Sequence, residues 1–379
     1  MKIGILGGGQ LGKMLLQKAA DFDLDLSVLD PDMDAPARFL CREFTRGDFR
    51  NYDEVLAFGR KTELLTIEIE HVNTKALHVL EKEGVRIYPQ PSVIELVQDK
   101  GAQKIFNRTH TIPTTAFQLV ANRNELMQSS MRTPFIQKLR REGYDGRGVK
   151  KIKNDADKTE AFDAPSVLEE LADIEMEISV LIARNQNGDI KHFPLTGMTF
   201  NPEANLVEYL FSPVVVSPQI EKEAIDIATT LIDSLQMVGI LAVELFLTKQ
   251  GKILVNEIAP RPHNSGHHTI EACQTSQYEQ HLRAILNLPL GATDLLRPAV
   301  MVNLLGEKDH EGPVQYEGLD KILAIPGAHV HLYGKKITKP FRKMGHVTVL
   351  ADTADQAMLQ AKKIKSMLKV VSSGSVTAN

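Results

Sequence analysis

Two glutamates, Glu244 and Glu257, are the pair of residues whose spacing most directly indicates chemistry in this chain. Strand-like segments on either side of the stretch 249–252 predict a hairpin with a four-residue loop. In that register Thr248 pairs with Ile253, and Glu244 lies directly opposite Glu257. Side chains opposed in this way begin only about 5 Å apart, so two carboxylates among apolar neighbours repel each other unless a cation lies between them.

Magnesium is the cation that this pair predicts. Mg²⁺ prefers oxygen ligands and is commonly held by one or two carboxylates together with the phosphates of a substrate. We therefore expect Glu244 and Glu257 to bind Mg²⁺. The alternative is a solvated strand face without a ligand.

The glycine-rich stretch Gly-Tyr-Asp-Gly-Arg-Gly at 143–148 is a candidate phosphate site. It follows Arg140 and Arg141 and joins two strand-like segments. Its backbone amides and its positive charges are suited to folding over a polyphosphate. Lys138, on the incoming strand, shares the face of Arg140 and adds a further cation. A plain solvated hairpin tip is the alternative.

Residues 7–12, Gly-Gly-Gly-Gln-Leu-Gly, match the pattern G-x-G-x-x-G between a predicted strand and a predicted helix. Backbone amides at the start of such a helix bind phosphates. Asp30, at the end of the second predicted strand, could hold a ribose. Three interpretations stay open for this loop: a nicotinamide dinucleotide site, a site for another phosphate, and tight packing without a ligand.

The stretch 256–269 continues from the second glutamate strand and carries donors for a small oxyanion, namely Arg261, His263 and Asn264. Its histidines also permit a zinc site, although no cysteine or acidic residue lies at the usual ligand spacing. Further along, 335–343 is rich in Lys and Arg. That run indicates either a phosphate clamp or a solvated edge.

The elements that must position these residues change character along the chain. Strands and helices alternate up to residue 88, which predicts a parallel sheet with right-handed crossovers. Between 135 and 288 strands are followed by a helix, which predicts a mostly antiparallel α+β domain with a hairpin that joins 175–183 to 190–197. The last part, 295–371, offers three short strands and a final helix.

One helix start bears directly on the site. Ser92 with Glu95 three residues later fits a capping box. We expect it to open the helix that carries Lys100 and Lys104.

Composition limits the classes of function. Of the 379 residues, 43% are hydrophobic and 24% charged, which is typical of a globular chain with a sizeable core and excludes a disordered or fibrous one. The formal net charge is −4, so there is no overall field to attract nucleic acid or an anionic membrane. Two cysteines, Cys41 and Cys273, are too few for a disulfide framework or a four-thiolate metal site. With no apolar stretch near the roughly 20 residues that cross a bilayer, we expect a cytoplasmic protein.

Four motifs together resemble the ATP-grasp family across essentially the whole chain, and within it the carboxylases that act on aminoimidazole ribonucleotide in purine synthesis. They are GGGQLGKM at 7–14, GYDGRG at 143–148, NEIAPRPHNSGHHT at 256–269 and RKMGH at 342–346. The second and third are the most specific. The segment 196–201 departs from the Asn-x-His that many relatives carry there, and we assign it no function.

The resemblance implies three domains and a mixed α/β and α+β fold. Residues 1–100 would form a Rossmann-like ribonucleotide-binding domain, 101–290 a two-lobed ATP-grasp domain, and 291–379 a small, β-rich carboxy-terminal domain. ATP would be held between the two lobes.

The resemblance also implies site residues. For ATP these are Lys100, Lys138, Gly143, Tyr144, Asp145, Gly146, Arg147, Gly148, Val149, Glu169, Glu170, Leu171, Ala172, Glu177, Asn256 and Glu257. For the ribonucleotide they are Gly9, Gln10, Leu11, Glu70, Lys335 and Arg342, with Lys336 interchangeable with Lys335. Arg261, His263 and Asn264 would be catalytic and seat bicarbonate and carboxyphosphate, while Glu244 and Glu257 would bind Mg²⁺.

The implied activity is the ATP- and bicarbonate-dependent carboxylation of aminoimidazole ribonucleotide, and the implied assembly is a homodimer. Three alternatives stay open. They are an ATP-grasp ligase with another amine acceptor such as glycinamide ribonucleotide, an NAD-dependent oxidoreductase that uses 7–12 and Asp30, and a nucleotide sensor without catalysis. The oxidoreductase leaves 143–148 and the glutamate pair without a role, and the glutamate pair argues against a sensor.

Overall fold

The amino-terminal segment forms a parallel sheet, as the alternation of strands and helices predicts. The computed structural model describes residues 1–141, Gly143, 148–200 and 206–373. The first sheet has the strand order β3-β2-β1-β4-β5, with every neighbouring pair parallel. Its elements are β1 (Ile3–Leu6), α1 (Gln10–Ala20), β2 (Leu26–Asp30), β3 (Glu43–Arg46), α2 (Tyr52–Gly59), β4 (Leu64–Ile67), α3 (Thr74–Lys82) and β5 (Arg86–Ile87).

Two helices follow, α4 (Pro91–Val97) and α5 (Lys100–Thr109). The predicted capping box at Ser92 is wrong, because α4 begins after Gln90 without a side-chain cap. A separate helix, α5, begins after Asp99, whose carboxylate accepts hydrogen bonds from the backbone N–H groups of Gly101 and Ala102. A short polar side chain directly before the helix therefore sets its start.

A small antiparallel sheet comes next, in the order β6-β9-β7-β8. Its elements are β6 (Phe117–Val120), α6 (Arg123–Met127), β7 (Phe135–Leu139), β8 (Val149–Ile152) and β9 (Ser166–Glu170). The strands β7 and β8 are the two that were predicted to flank the glycine-rich stretch 143–148.

The largest sheet runs β15-β14-β10-β12-β13-β16-β20-β18, with β11 paired to β10 at its side. Its strands are β10 (Ile174–Arg184), β11 (Ile190–His192), β12 (Thr196–Phe200), β13 (Val207–Ser212), β14 (Gly239–Thr248), β15 (Ile253–Ala259), β16 (Ala299–Leu305), β18 (Ala328–Leu332) and β20 (Lys343–Leu350). The predicted hairpin after β10 is confirmed, with its second arm divided into β11 and β12. Pairing of β13 with β16 joins the central strands to the carboxy-terminal ones.

Helices cover this sheet and bury its apolar side chains. The buried face of α7 (Pro218–Ser234) contributes Ala224, Ile227, Ala228, Leu231 and Ile232, which recur at the three- and four-residue intervals of a helix. A fourth sheet, in the order β19-β17-β21, completes the carboxy-terminal region. The remaining elements are α8 (Thr269–Ala272), α9 (Gln277–Ile285), β17 (Gly312–Glu317), α10 (Leu319–Leu323), β19 (Ile337–Thr338), α11 (Ala354–Met367) and β21 (Lys369–Ser372). No helix in the described ranges is both long and apolar enough to span a membrane.

Candidate active site

A cavity of about 660 Å³ opens where the three regions of the chain meet. Its walls come from the start of α1, from the loop after β4, from the small sheet, from β10, β14 and β15, and from the start of β20. The predicted site residues on its walls are Gln10, Leu11, Glu70, Lys100, Lys138, Gly143, Val149, Glu169, Glu170, Leu171, Ala172, Glu177, Glu244, Asn256, Glu257, Arg261, His263 and Asn264. Tyr144, Asp145, Gly146 and Arg147 lie outside the described residues.

The glutamate hairpin is confirmed, but its register contains an irregularity. Glu244 does lie opposite Glu257. The predicted pairing of Thr248 with Ile253 is wrong by one residue, because Ile253 pairs with Leu247. A bulge between the two pairs restores the opposition of the glutamates. Such bulges redirect side chains next to functional sites.

The same bulge brings two consecutive side chains into the cavity. Asn256 is skipped in the pairing between Val255 and Glu257. In a regular strand, neighbours point to opposite faces, whereas Asn256 and Glu257 both line this cavity. Lys138 donates to Asn256 Oδ1 at 3.0 Å, and Lys100 forms an ion pair with Glu257.

The opposed carboxylates repel, as the sequence predicts. The pKa of Glu244 is raised to about 8, chiefly because the side chain is buried and also because the charges of Glu257 and Glu177 lie nearby. In the absence of a cation Glu244 is therefore largely protonated at neutral pH. A divalent cation between the carboxylates would remove the repulsion and hold Glu244 ionised.

The donor set fits magnesium better than a metal held by protein alone. Within the described part of the chain, no group of three or more His, Cys, Asp or Glu side chains is placed to hold a metal ion. Glu244 and Glu257 would thus need further oxygen ligands from a substrate, which is the usual arrangement for Mg²⁺.

A buried ion network lies beside the carboxylate pair. Glu169 binds Lys104 and Lys138, each at 3.1 Å. Burial alone would raise the pKa of Glu169, but the two lysines outweigh it and hold that pKa below its usual value. Burial lowers the pKa of Lys104 to about 8 despite the attraction of Glu169. The carboxylate of Glu169 therefore orients the two lysines. The residues that follow it, 170–172, also line the cavity.

The sequence interpretation gave Lys104 no role in the site. Lys100 and Lys104 are four residues apart on α5, so they lie on the same face of the helix. This spacing was a usable signal. Arg140, counted among the cations of the glycine-rich stretch, instead binds the capping residue Asp99 at 2.7 and 2.9 Å.

Glu177 lies on β10 and also lines the cavity. Burial raises its pKa to about 7, against the opposing effect of Lys138. A carboxylate in this condition is suited to hydrogen bonding with neutral hydroxyl groups, as the predicted ribose contact requires.

The amino-terminal glycine loop is occupied by an acidic side chain of the chain itself. Glu68 accepts hydrogen bonds from the backbone N–H groups of Gly9 and Gly12, each at 2.6 Å. A Cβ atom on Gly9 would come within 2.4 Å of Glu68 Oε1. Tight packing is therefore the interpretation that the geometry supports for this loop, and the start of α1 is closed to a phosphate. No sequence motif indicated Glu68.

Asp30 is likewise occupied. Its side chain accepts from the N–H groups of Gly8 at 2.6 Å and Asp32 at 2.8 Å, and the residue is 8% exposed. The ribose contact of the oxidoreductase hypothesis is therefore not supported. Gln10 and Leu11 reach the cavity wall, and the Gly9 amide points to Glu68 instead.

The oxyanion candidates gather at one end of the cavity. Arg261 binds Glu70 at 2.8 Å. His263 Nε2 lies 3.8 Å from Glu244 Oε1, which connects this end to the carboxylate pair. Both polar atoms of the Asn264 side chain are buried without a hydrogen-bond partner among the described residues. A buried amide that nothing satisfies indicates a bound polar group.

The cationic run near the carboxyl end is arranged differently from the prediction. Lys335 donates to the carbonyl of Lys343 at 2.9 Å, and Arg342 donates to the carbonyl of Ile337 at 2.7 Å. Lys336 is exposed and pairs with Asp34. Lys343 is the member of this run that lines the cavity. The sequence interpretation counted it among the cations of the run but assigned it no contact with the ribonucleotide. The ribonucleotide contacts of Lys335 and Arg342 stay predictions.

Family models match three consecutive segments of the chain. A ribonucleotide synthetase preATP-grasp domain matches 1–98, an ATP-grasp domain matches 105–278, and a phosphoribosylaminoimidazole carboxylase C-terminal domain matches 299–360.

Curated relatives match nearly the whole chain. The N5-carboxyaminoimidazole ribonucleotide synthase of Bacillus subtilis is 37% identical over 93% of this chain and 92% of its own. The chloroplastic phosphoribosylaminoimidazole carboxylase of Vigna aconitifolia is 38% identical, and the match spans 93% of this chain but only 64% of that longer protein.

Solved structures have the same fold. N5-carboxyaminoimidazole ribonucleotide synthetase from Thermotoga maritima superposes with a TM-score of 0.91 at 43% identity, covering 98% of this chain and 99% of that one. The Aspergillus clavatus synthase, solved in complex with ADP and 5-aminoimidazole ribonucleotide, gives a TM-score of 0.88 at 31% identity and covers 96% of this chain and 97% of that one.

Proposed function

Because this chain belongs to the N5-carboxyaminoimidazole ribonucleotide synthetase family of ATP-grasp enzymes, we propose that it uses ATP to join bicarbonate to the exocyclic amine of 5-aminoimidazole ribonucleotide. The products are ADP, phosphate and N5-carboxyaminoimidazole ribonucleotide. The observation that carries the proposal is one cavity whose walls hold the opposed pair Glu244 and Glu257, the cations Lys100 and Lys138, and the unsatisfied amide of Asn264.

The reaction has two chemical stages. An oxygen of bicarbonate attacks the γ-phosphorus of ATP, the bond to the β-γ bridging oxygen breaks, and ADP leaves with that electron pair. The carboxyphosphate that results carries an activated carboxyl carbon. The amine nitrogen bonds to that carbon, either directly or after release of CO₂, and phosphate leaves as the amine loses a proton.

ATP would lie between the small sheet and the β14–β15 hairpin. Lys138 and Lys100 are placed to bind its phosphates, and the network with Glu169 fixes Lys138 before the nucleotide arrives. The adenine would meet the backbone of 170–172, and Glu177 would accept from the ribose hydroxyls. Binding groups that are held in place in advance lose little entropy when the ligand binds.

Glu244 and Glu257 would hold Mg²⁺ with the phosphates of ATP. The ion would neutralise charge on the phosphates as the γ-phosphoryl group is transferred. When no Mg²⁺ is bound, the ion pair with Lys100 partly neutralises the charge of Glu257.

Arg261, His263 and Asn264 would bind bicarbonate and then carboxyphosphate. His263 Nδ1 accepts from the backbone N–H of Ser265 at 3.3 Å, so its proton is on Nε2, the atom that faces Glu244. Asn264 offers its unsatisfied amide to the same end of the cavity. Together these groups provide donors to an oxyanion without providing a nucleophile.

The ribonucleotide would occupy the part of the cavity between the amino-terminal loops and β20. Gln10, Leu11 and Glu70 line the cavity from the amino-terminal region, and Lys343 lines it from the start of β20. Because Glu68 fills the start of α1, the ribonucleotide phosphate would bind to the cationic run at 335–343 instead. The homodimer that the resemblance implies is part of the proposal, and sedimentation velocity tests it.

Release of ADP tests the proposal. The chain is supplied with Mg²⁺-ATP and bicarbonate, with and without aminoimidazole ribonucleotide, and glycinamide ribonucleotide serves as the competing acceptor. We expect strong stimulation by aminoimidazole ribonucleotide alone. Stimulation by glycinamide ribonucleotide instead would assign another acceptor, and ATP cleavage indifferent to both would contradict a carboxylase.

A further inference from the structure

His267 is a buried side chain on the cavity wall to which the mechanism above gives no task. The residue is 1% exposed, yet it lines the same cavity as Arg261 and His263. Two neighbours hold its ring. It stacks on His346 with ring centroids 4.6 Å apart, and Nδ1 lies 3.1 Å from the hydroxyl of Tyr278.

The hydrogen-bond network fixes which ring nitrogen of His267 carries the proton. The amide of Gln277 is oriented by the backbone of His263, because Oε1 accepts from its N–H and Nε2 donates to its carbonyl, each at 2.8 Å. The same Nε2 lies 3.3 Å from His267 Nδ1. An amide nitrogen only donates, so Nδ1 is an acceptor and the proton is on Nε2.

The Nε2–H group of His267 has no acceptor among the described residues. Both ring nitrogens of the neighbouring His268 are fully buried and also lack a partner. His267 Nε2 differs from them, because it is not fully buried. The ring is almost fully buried, and His346, Tyr278 and Gln277 hold it in place. Its one unused donor lies at a cavity, which indicates that the ring is oriented toward a ligand.

The position of the ring connects it to the carboxyl-transfer end of the site. The backbone N–H of His267 donates to the carbonyl of Asn264 at 3.2 Å across a single turn. Gln277 binds the backbone of His263 and the ring of His267 together. One side chain thus sets the relative placement of two histidines that face the same cavity.

We propose that His267 Nε2–H donates a hydrogen bond to the carboxyl oxygen of carboxyphosphate that gains charge as the ribonucleotide amine attacks. The inference rests on the proposed function. In this step a nitrogen–carbon bond forms and the carbon–oxygen bond to the phosphoryl group breaks, with phosphate leaving. Desolvation holds the pKa of His267 well below its usual value, so the ring remains a neutral donor throughout.

A donor with this task affects carbon transfer more than ATP cleavage. Without it the amine attacks slowly and carboxyphosphate hydrolyses in water. The ratio of ADP released to carbamate formed would therefore rise above one. A merely structural defect would lower both rates together and leave the ratio unchanged.

The test compares two substitutions at this position. For His267→Leu we expect carbamate formation to fall by about 10²-fold, the usual loss for one oxyanion donor, with ADP release falling less and ADP binding retained. His267→Gln keeps an N–H near the Nε2 position and should recover carbamate formation to within about tenfold. Equal losses of ADP and carbamate in His267→Leu, or no advantage of Gln over Leu, would overturn the inference.

A matched control and a spectroscopic measurement separate this inference from folding and from the proposed function. His281 is buried and hydrogen-bonded to Thr66, but it does not line the cavity. His281→Leu should leave the ADP-to-carbamate ratio at one, and a raised ratio there would contradict a specific role for His267.

Histidine ring ¹⁵N spectra of the unmodified chain should show the Nε2–H tautomer at the signal that His267→Gln removes, and an Nδ1–H tautomer would overturn the inference. An unmodified chain that does not respond to aminoimidazole ribonucleotide would contradict the proposed function, while the spectra still decide the tautomer.

Discussion

At the scale of single residues, charge and burial decide what each side chain of the site can do. Glu68 and Glu244 are both acidic residues in mostly buried positions, yet their surroundings differ. Two backbone N–H groups satisfy Glu68, so it closes the glycine loop. Glu244 lies near Glu257 and Glu177, so its ionised form is stable only when a cation is bound beside it. The first residue is structural and the second is part of the proposed metal site.

Removal of one metal carboxylate tests that site. For Glu257→Gln we expect ATP cleavage to fall by about 10³-fold, since the ion supplies several kcal/mol of charge stabilisation to phosphoryl transfer. Ribonucleotide binding should be unchanged, because Glu257 is not among the residues proposed to contact the ribonucleotide. Initial rates of ADP release and calorimetric titration measure the two effects. Glu317→Gln, at an exposed strand position, is the matched control, and turnover retained in Glu257→Gln would refute the metal assignment.

The pKa of Glu244 predicts how stability depends on pH. Because burial and its acidic neighbours raise that pKa to about 8, the folded chain keeps a proton that the unfolded chain has released above about pH 5. Stability therefore falls as pH rises from about 5 to 8. Without divalent cations, we expect the free energy of unfolding to drop by about 2 kcal/mol more between pH 6 and pH 8 in the unmodified chain than in Glu244→Gln.

Urea unfolding of both chains at the two pH values measures this difference. The raised pKa of Glu177 also makes stability fall with rising pH, although by less. Because Glu177 is present in both chains, its effect cancels when the two are compared. Identical slopes would mean that Glu244 is ionised without a cation.

At the scale of elements, local sequence predicted which segments are strands and helices better than where they begin or how they pair. The β14–β15 hairpin follows from its loop length, but the bulge that brings Asn256 into the cavity does not, because it depends on packing across the sheet. Likewise Thr353 does cap α11, as a Thr followed by Gln356 suggests. Ser92 has the equivalent spacing and caps nothing, because α4 already begins at Pro91 and Ser92 lies inside it. The start of α5 is set instead by Asp99, which binds Arg140 from a distant part of the chain.

The glycine loop offers a test of how an element is positioned. In Gly9→Ala the new Cβ would displace the Glu68 carboxylate from the start of α1. We expect a loss of about 1–3 kcal/mol in the free energy of unfolding, the usual cost of overpacking. The loss should be much smaller in a Glu68→Ala background, where the obstructing carboxylate is gone. A double-mutant cycle by urea unfolding measures the coupling, and additive effects would show that Glu68 does not constrain this loop.

At the scale of the whole molecule, the site exists only because three regions share one cavity. The start of α1 contributes Gln10 and Leu11, the small sheet contributes Lys138, and β20 contributes Lys343. The motifs indicated most of these residues one at a time. The pairing of β13 with β16, which carries the central sheet into the carboxy-terminal strands, depends on long-range contacts that no local pattern encodes. For the same reason the sequence placed Lys343 only within a cationic run and His267 only within a motif, and it assigned neither residue a contact in the proposed site.

Isotope transfer from bicarbonate tests the central claim most directly. The chain is incubated with Mg²⁺-ATP, aminoimidazole ribonucleotide and bicarbonate labelled with both ¹³C and ¹⁸O, and the products are followed by mass spectrometry and ³¹P NMR. For the proposed reaction we expect ¹³C in the carbamate on the ribonucleotide amine and one ¹⁸O atom in the phosphate, with ADP in equal amount. Phosphate without ¹⁸O, or ADP release without labelled ribonucleotide, would contradict it.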